Sequence, residues 1–465
     1  MNQDAIVLWM RNGHARTAAL VVATRLGLLE RLSRAPADRA TLASELGITP
    51  AAARVLTQFL HAGGLLTTTA PGTYALTAGV DLAALDEAGR DVAENWALVG
   101  DAAELLRHGK TDDLARLWAD IPPAPADTTG PVWALDTIRY GYLRCRALSA
   151  AVELGLLTAL RDGPRGASAF DVNTDGAQLA LDTLHHLGIC ERDGAEYRLG
   201  TAAATLFGSP RAASAFELAA GLAHDFWSAL GAMDEVARTG ELTFDLQDPV
   251  AASRYYLRLA RYNSLVFPGY LRLAETVATA VAGQIGKPDA TIVDVGTGSA
   301  VWAAAFARTW PSSRVHLLDR ASVLAQAKAN MTRLGVADRA TFAESDLISD
   351  EFGDGTADVL ILGQICHTQP EATLSDLFRR CAAALRPGGV LLIGDSVLED
   401  SGTTPAGYLD FAIKELVGTG GGILTDAEYR ELLAQAGFTD VTLRRFPELD
   451  VFVAVVGEKT LEVTR

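Results

Sequence analysis

The chain repeats itself. "LGLLERL" (26–32) recurs as "LGLLTAL" (154–160), and "LTQFLHAGGLL" (56–66) as "LDTLHHLGICE" (181–191). "TYAL" (73–76) returns as "EYRL" (196–199), and "NWALVGDAAELLRHG" (95–109) as "FWSALGAMDEVARTG" (226–240). In the last pair Trp96 and Trp227 lead Gly109 and Gly240 by the same interval. Four matches in one order, at an offset of roughly 128 residues, argue for duplication of a whole module. More than half of the chain must therefore be one small unit built twice.

Local signals say what that unit is. A leucine-rich helix ends near Gly27 in the first copy and near Gly155 in the second. "DRATLASELGITPAAARVLTQFLHAGGLL" then predicts two short helices around "LGIT", with Thr49 as N-cap before a first-turn Pro50. "LLTTTAPGTYALT" predicts a hairpin turning at Pro71-Gly72. Helix, helix–turn–helix and hairpin make a winged helix. The second copy keeps the order, but "GPRGASAFDVNTDGAQLALDTL" has lost the first helix–turn signal. A winged helix raises the possibility of a DNA-binding regulator. The helix that would read DNA offers only Arg54 in copy one and no lysine or arginine in copy two, too little to neutralise several phosphates. The formal charge of −17 repels nucleic acid and anionic membranes alike. A packing and dimerisation module is the better reading.

The proline-rich stretch 116–135 reads as the linker between copies, and 241–289 as helical with a break near Pro268. The expected domains are 1–120, 131–285 and 286–465. Hydrophobic residues make up 49% of the chain, enough for a packed core, yet there is no membrane-length apolar run. The N-terminus does not read as a signal peptide. Cys145, Cys190, Cys366 and Cys381 show no CxxC spacing, so reduced thiols, no metal centre and a cytoplasmic setting are expected.

From 290 onward the pattern changes. "TIVDVG", "RVHLLD", "ATFAESD", "ADVLILGQ" and "GVLLIGDS" read as strands, with helices starting at Ala300, Ala321, Thr373 and about Thr425. This alternation predicts an open, mostly parallel α/β sheet with ligands outside the strands' carboxyl ends. The turn after the first strand, "DVGTGSAV", is not a dinucleotide fingerprint, because Val301 stands at the third glycine position. It is not a phosphate loop either, because no lysine follows. Its backbone N–H groups at a helix N-terminus would suit a carboxylate. Asp319, closing the second strand, could accept both hydroxyls of a ribose. Asp346, after the third, could take an exocyclic amine. Asp294, Gly296, Gly298, Asp319 and Asp346 together describe a seat for S-adenosylmethionine.

At this point the chain resembles the plant- and bacterial-type class I S-adenosylmethionine-dependent small-molecule O-methyltransferases. The resemblance includes the glycine turn, "LRPGGVLLIGDSVLED" (385–400) and "GTGGGILTDAEYRELLAQAGF" (418–438). The closing "VTLRRFPELDVFVAVVGEK" is similar to the family's antiparallel C-terminal hairpin. The resemblance implies a Rossmann-like methyltransferase domain preceded by mainly helical winged-helix modules, a small-molecule acceptor and a homodimer. It implies that His367 in "LGQICHTQPEAT" is the catalytic base, with Asp395 in "IGDSV" as an orienting acid. A base matters because a phenol, with a pKa of about 10, is a poor nucleophile at neutral pH.

Three departures from the family pattern, at four positions, stand out. Ala300 stands for the turn's third glycine, Thr368 and Gln369 for the acidic–aromatic pair after the histidine, and Ile423 for a second catalytic glutamate. The expected activity is methyl transfer to an O or N nucleophile of a small aromatic secondary metabolite. The rival, motivated by the missing glutamate, is the same fold turned to cyclisation, coupling or decarboxylation. In a third reading, the one the recognition helices least support, the chain is a winged-helix regulator. The two N-terminal modules are expected to pack together, through the apolar helix "TAALVVATRLGLLERL".

Overall fold

The computed structural model describes residues 3–125, 128–244, 249–445 and 453–459. The chain divides into two compact units, Met1–Tyr262 with Leu416–Gly418, and Asn263–Glu415 with Thr419–Arg465.

In the first unit one series of elements runs twice. Helix Gln3–Arg25 is followed by helices Arg39–Leu46 and Pro50–Ala62 and by strands Leu66–Ala70 and Thr73–Leu76. The expected N-cap is present: the Thr49 side chain accepts from Ala52 N–H, and Pro50 opens the helix. Gly72, at φ 71°, supplies the positive φ that the hairpin turn needs. A short strand, Ala37–Asp38, completes a three-stranded sheet. Helix Gly130–Glu153 then begins the series again, with helix Thr174–His186 and strands Cys190–Asp193 and Glu196–Leu199, and the second sheet has the same strand order as the first. Where the first series has a full helix, the second keeps only the 3-10 turn Ala167–Ala169. That difference matches the weaker sequence signal there. The connection between copies is shorter than the composition suggested, since helices Asp112–Trp118 and Gly130–Glu153 take up both of its ends. Residues 126 and 127 of the linker lie outside the described residues. Helix Pro249–Ile285 runs on through Pro268, without the expected break. No helix among the described residues is long and apolar enough to cross a membrane.

The second unit is built on a seven-stranded sheet. We label its strands β1 (Thr291–Val295), β2 (Arg314–Asp319), β3 (Ala340–Glu344), β4 (Ala357–Gly363), β5 (Leu385–Asp395), β6 (Phe438–Arg445) and β7 (Val453–Lys459). Their spatial order is β6-β7-β5-β4-β1-β2-β3. The run from β5 to β3 is parallel, and β7 is antiparallel to both β5 and β6. The five expected parallel strands and the C-terminal hairpin are therefore present. The hairpin's connecting residues, 446–452, lie outside the described residues.

The alternation of side chains explains why the central strands β1, β4 and β5 read as nearly continuous apolar runs. Ile292, Val359 and Leu392 face one core with Phe306 and Val277, while Val293, Leu360 and Leu391 face another with Phe378 and Leu432. A parallel sheet covered on both faces has no polar side to show. Its open positions are the strand ends, and there the candidate residues lie.

Candidate active site

β1 ends in the glycine turn, and the turn is shaped by close approach. Gly296, at φ 67°, lies against Ile365, and a Cβ there would sit 2.4 Å from the Ile365 side chain. Gly298 has φ 53°, and Ala300 also adopts the left-handed region, at φ 60° and ψ 28°, before helix Val301–Thr309 begins. An alanine there carries a cost that glycine would not, of about 1–2 kcal/mol. The third glycine of the family pattern thus has its backbone conformation here without its residue.

The turn's N–H groups are largely spent inside the junction. Gly296 and Thr297 donate to the Leu318 carbonyl, Ala300 donates to Thr297, and Gly298 donates to Asp319 Oδ2 at 2.8 Å. These four do not form the open carboxylate cradle that the sequence suggested. What the turn does is draw Asp319 onto Gly298. Asp319 Oδ1 accepts from Arg320 N–H at 2.7 Å, and each carboxylate oxygen keeps a further lone pair for a hydroxyl.

Asp294 is buried at the end of β1. Its Oδ2 accepts from Thr297 Oγ1 at 2.7 Å and from Ala303 N–H at 3.1 Å. Its Oδ1 is buried with no hydrogen-bond partner. Burial, with the nearby Asp319 charge in support, pushes the Asp294 carboxyl up to about 7 against these hydrogen bonds. An orphaned buried acceptor beside a ligand turn calls for a donor from outside. A ligand that carries an ammonium group beside ribose hydroxyls answers it. Asp346 is exposed after β3, and its Oδ1 holds the Ile348 N–H in a local turn.

The second half of the site lies at the ends of β4 and β5, which are neighbours in register through Gly363 and Gly394. Both glycines are required by one side chain. A Cβ on Gly363 would come within 2.1 Å of the Trp302 indole, and one on Gly394 within 2.2 Å. Trp302 thus lies across both strands, and it leads out of the glycine turn on helix Val301–Thr309. The paired glycines in "ILGQ" and "LIGDS" are the sequence signal that could have revealed it.

His367 sits on a 3-10 turn, Cys366–Thr368, just past β4. Its Nδ1 is 2.6 Å from Asp395 Oδ1, and its backbone N–H donates to Asp395 Oδ2 at 3.1 Å. Asp395 closes β5 and is fully buried; His367 is 6% exposed. The structure thus joins the two residues expected to act together. Thr368 and Gln369 brace the same turn, with Thr368 Oγ1 donating to the Ile365 carbonyl and Gln369 Nε2 to Thr368 Oγ1. The glycine loop 420–422 closes over the histidine backbone: Gly422 N–H donates to the His367 carbonyl, and a Cβ on Gly421 would lie 2.1 Å from that oxygen.

Ile423 is buried and apolar, but an acid is nevertheless present. Glu415, on helix Gly407–Gly418, is buried and electrostatically coupled to His367. One turn earlier on the same helix, Phe411 packs on the imidazole with ring centroids 4.8 Å apart. Residues four apart share a helix face, so Glu415 belongs to the face that meets the histidine. Thr419 Oγ1 donates to Glu415 Oε2 at 3.1 Å. Burial disfavours the imidazolium of His367, but the charge and hydrogen bond of Asp395, with Glu415 in support, outweigh it and raise the pKa to about 9. Burial also raises the Glu415 carboxyl, and the neighbouring Asp395 adds to this.

Comparison with known proteins identifies the family. Residues 277–439 match the family model described as an O-methyltransferase domain. Bovine acetylserotonin O-methyltransferase is 30% identical over 322 residues, 66% of this chain and 92% of that protein. The mitomycin biosynthesis 6-O-methyltransferase of Streptomyces lavendulae is 27% identical over 68% of this chain and 91% of its own. The crystal structure of human N-acetylserotonin methyltransferase in complex with S-adenosylmethionine shares the fold, with a TM-score of 0.56 at 21% identity over 72% of this chain and 99% of that one. The chain belongs to the plant- and bacterial-type class I S-adenosylmethionine-dependent O-methyltransferase family.

Proposed function

We propose that the protein methylates a hydroxyl group of a small aromatic secondary metabolite, with His367 as general base. The observation that carries the reading is the buried His367–Asp395 pair at the carboxyl ends of β4 and β5. S-adenosylmethionine, when bound, supplies an electrophilic methyl group on a sulfonium. Asp294, Gly296, Gly298 and Asp319 are the residues that would hold it, Asp319 through the ribose hydroxyls, with Asp346 toward the base.

Asp395 fixes the imidazole through Nδ1, which leaves Nε2 for the acceptor hydroxyl. The neutral imidazole would take the hydroxyl proton at Nε2 as the acceptor oxygen is methylated. The resulting imidazolium is stabilised by Asp395, as in other histidine–carboxylate pairs. Glu415 takes the part of the second acid that Ile423 lacks. A base so placed is worth about 10²–10⁴ in rate.

The test compares two variants. His367→Ala should lower kcat by about 10²-fold or more while the cofactor binds as before. Asp319→Ala should do the reverse, weakening cofactor binding by roughly 1–3 kcal/mol. Product is read by mass, as a gain of one methyl group for one proton. Full activity in His367→Ala would remove the base from the mechanism. Turnover of the metabolite without that gain would favour the non-methylating chemistry instead.

A further inference from the structure

Within the first unit the two series of elements meet in a reciprocal way. Trp96 Nε1 donates to the Trp227 carbonyl at 2.9 Å, and Trp227 Nε1 donates to the Trp96 carbonyl at 2.9 Å. The two indoles stack with centroids 4.6 Å apart. Each lies over a glycine of the other copy: a Cβ on Gly100 would meet the Trp227 indole at 2.6 Å, and one on Gly231 the Trp96 indole at 2.7 Å. The same sequence separation, 131 residues, relates the tryptophans and these glycines.

The reciprocity extends to both sides of the contact. Helix Gln3–Arg25 crosses helix Gly130–Glu153 with glycine on glycine: a Cβ on Gly13 would lie 2.5 Å from the Gly141 carbonyl, and one on Gly141 would lie 3.1 Å from the Gly13 carbonyl. Thr49, N-cap of helix Pro50–Ala62, donates through its N–H to the Ala237 carbonyl beside Gly240. Its counterpart Asn173, N-cap of helix Thr174–His186, lies against Gly109. Here residue i of one copy contacts j of the other while the counterpart of j contacts the counterpart of i, which is the rule of an isologous two-fold interface. Such an interface normally joins two identical chains.

One pair breaks the symmetry. Arg146 donates from Nε to the Gly100 carbonyl at 3.0 Å and from Nη1 to Glu153 Oε1 at 2.6 Å. At the matching place on the first helix stands Ala18, beside a hollow of about 230 Å³ lined by Val22, Arg25, Trp96 and Gly231. The two halves are thus related but not interchangeable.

We infer that the first module is a built-in copy of a subunit partner. It occupies the self-complementary face that a chain with one such module would offer to a second chain. A two-fold contact is closed and leaves none of that face free, so the protein works as a single chain. This replaces the homodimer that the family resemblance implies, and it does not depend on the reaction proposed above.

The experiment uses the full chain. Sedimentation at micromolar concentration should give a particle of one chain, 49.1 kDa. In a version with a specific protease sequence inserted between Thr128 and Thr129, cleavage should leave the two pieces together as a one-to-one complex. Adding Trp96→Asp to the cleavable chain should make the pieces part, and the larger piece should then pair with itself. Trp96→Phe serves as a milder variant, releasing the pieces at lower denaturant if the aspartate version does not fold. A two-chain particle from the uncut protein, or pieces that separate on cleavage alone, would overturn the inference.

Discussion

If His367 is the general base, as proposed, its charge state decides when the protein can act. An imidazole with a pKa of about 9 is protonated at neutral pH, and only its neutral form can take a proton from a hydroxyl. Activity limited by the free enzyme should therefore rise with pH up to about 9. A sulfonium nearby disfavours the imidazolium, because like charges oppose one another, so the neutral form should appear at lower pH in the complex. The ascending limb of kcat should lie below that of kcat/KM. Asp395→Asn removes the largest charge that holds the proton on, and it should shift the kcat/KM limb toward lower pH while lowering the plateau. Profiles of kcat and kcat/KM across about pH 6 to 10 check the order of the limbs. A kcat/KM limb that stays near 9 in Asp395→Asn would mean that another group is titrating.

At the scale of elements, the site rests on one helix and two glycines. Trp302 packs over Gly363 and Gly394, so the glycine turn, the helix after it and the ends of β4 and β5 are one packed unit. Gly394→Ala should force the indole aside, costing about 1–3 kcal/mol as overpacking, and cofactor affinity should fall with it, because the displaced helix begins at the turn. Gly407→Ala, at a helix start with nothing within 4 Å of a new methyl, should leave both unchanged. Thermal melts and cofactor titration of the two variants distinguish a local packing role from general intolerance.

The central strands β1, β4 and β5 were legible because buried strands are short apolar runs, and the half-buried β2 also begins and ends where the sequence placed it. Helix Gly407–Gly418 was not legible. It lies between glycine- and proline-containing stretches and has no N-cap side chain to announce it. Glu415 was lost with it, since nothing in sequence spacing brings position 415 to His367. Pro268 misled for another reason: the local rule for a break holds only where packing does not override it.

For the molecule as a whole, the reciprocal contact in the first unit makes a thermodynamic claim. If two modules are held by one closed interface within a chain, their unfolding is linked, and it does not depend on protein concentration as the melting of a dimer does. The melting temperature of the first unit should be the same at about 1 and 100 μM, whereas a dimer held by this face would melt higher when concentrated. Trp96→Phe and Trp227→Phe each remove one of the two mirrored hydrogen bonds, so each should cost about 1 kcal/mol, and the costs should be alike. Because the indoles also stack on one another, the double variant should not cost the simple sum. Hydrogen exchange gives the sharper reading. Either single change should speed amide exchange in both helix Gln3–Arg25 and helix Gly130–Glu153, since the glycine crossing at Gly13 and Gly141 ties them into one cooperative unit. Faster exchange confined to the module that carries the substitution would mean that the two modules share a surface without sharing their stability.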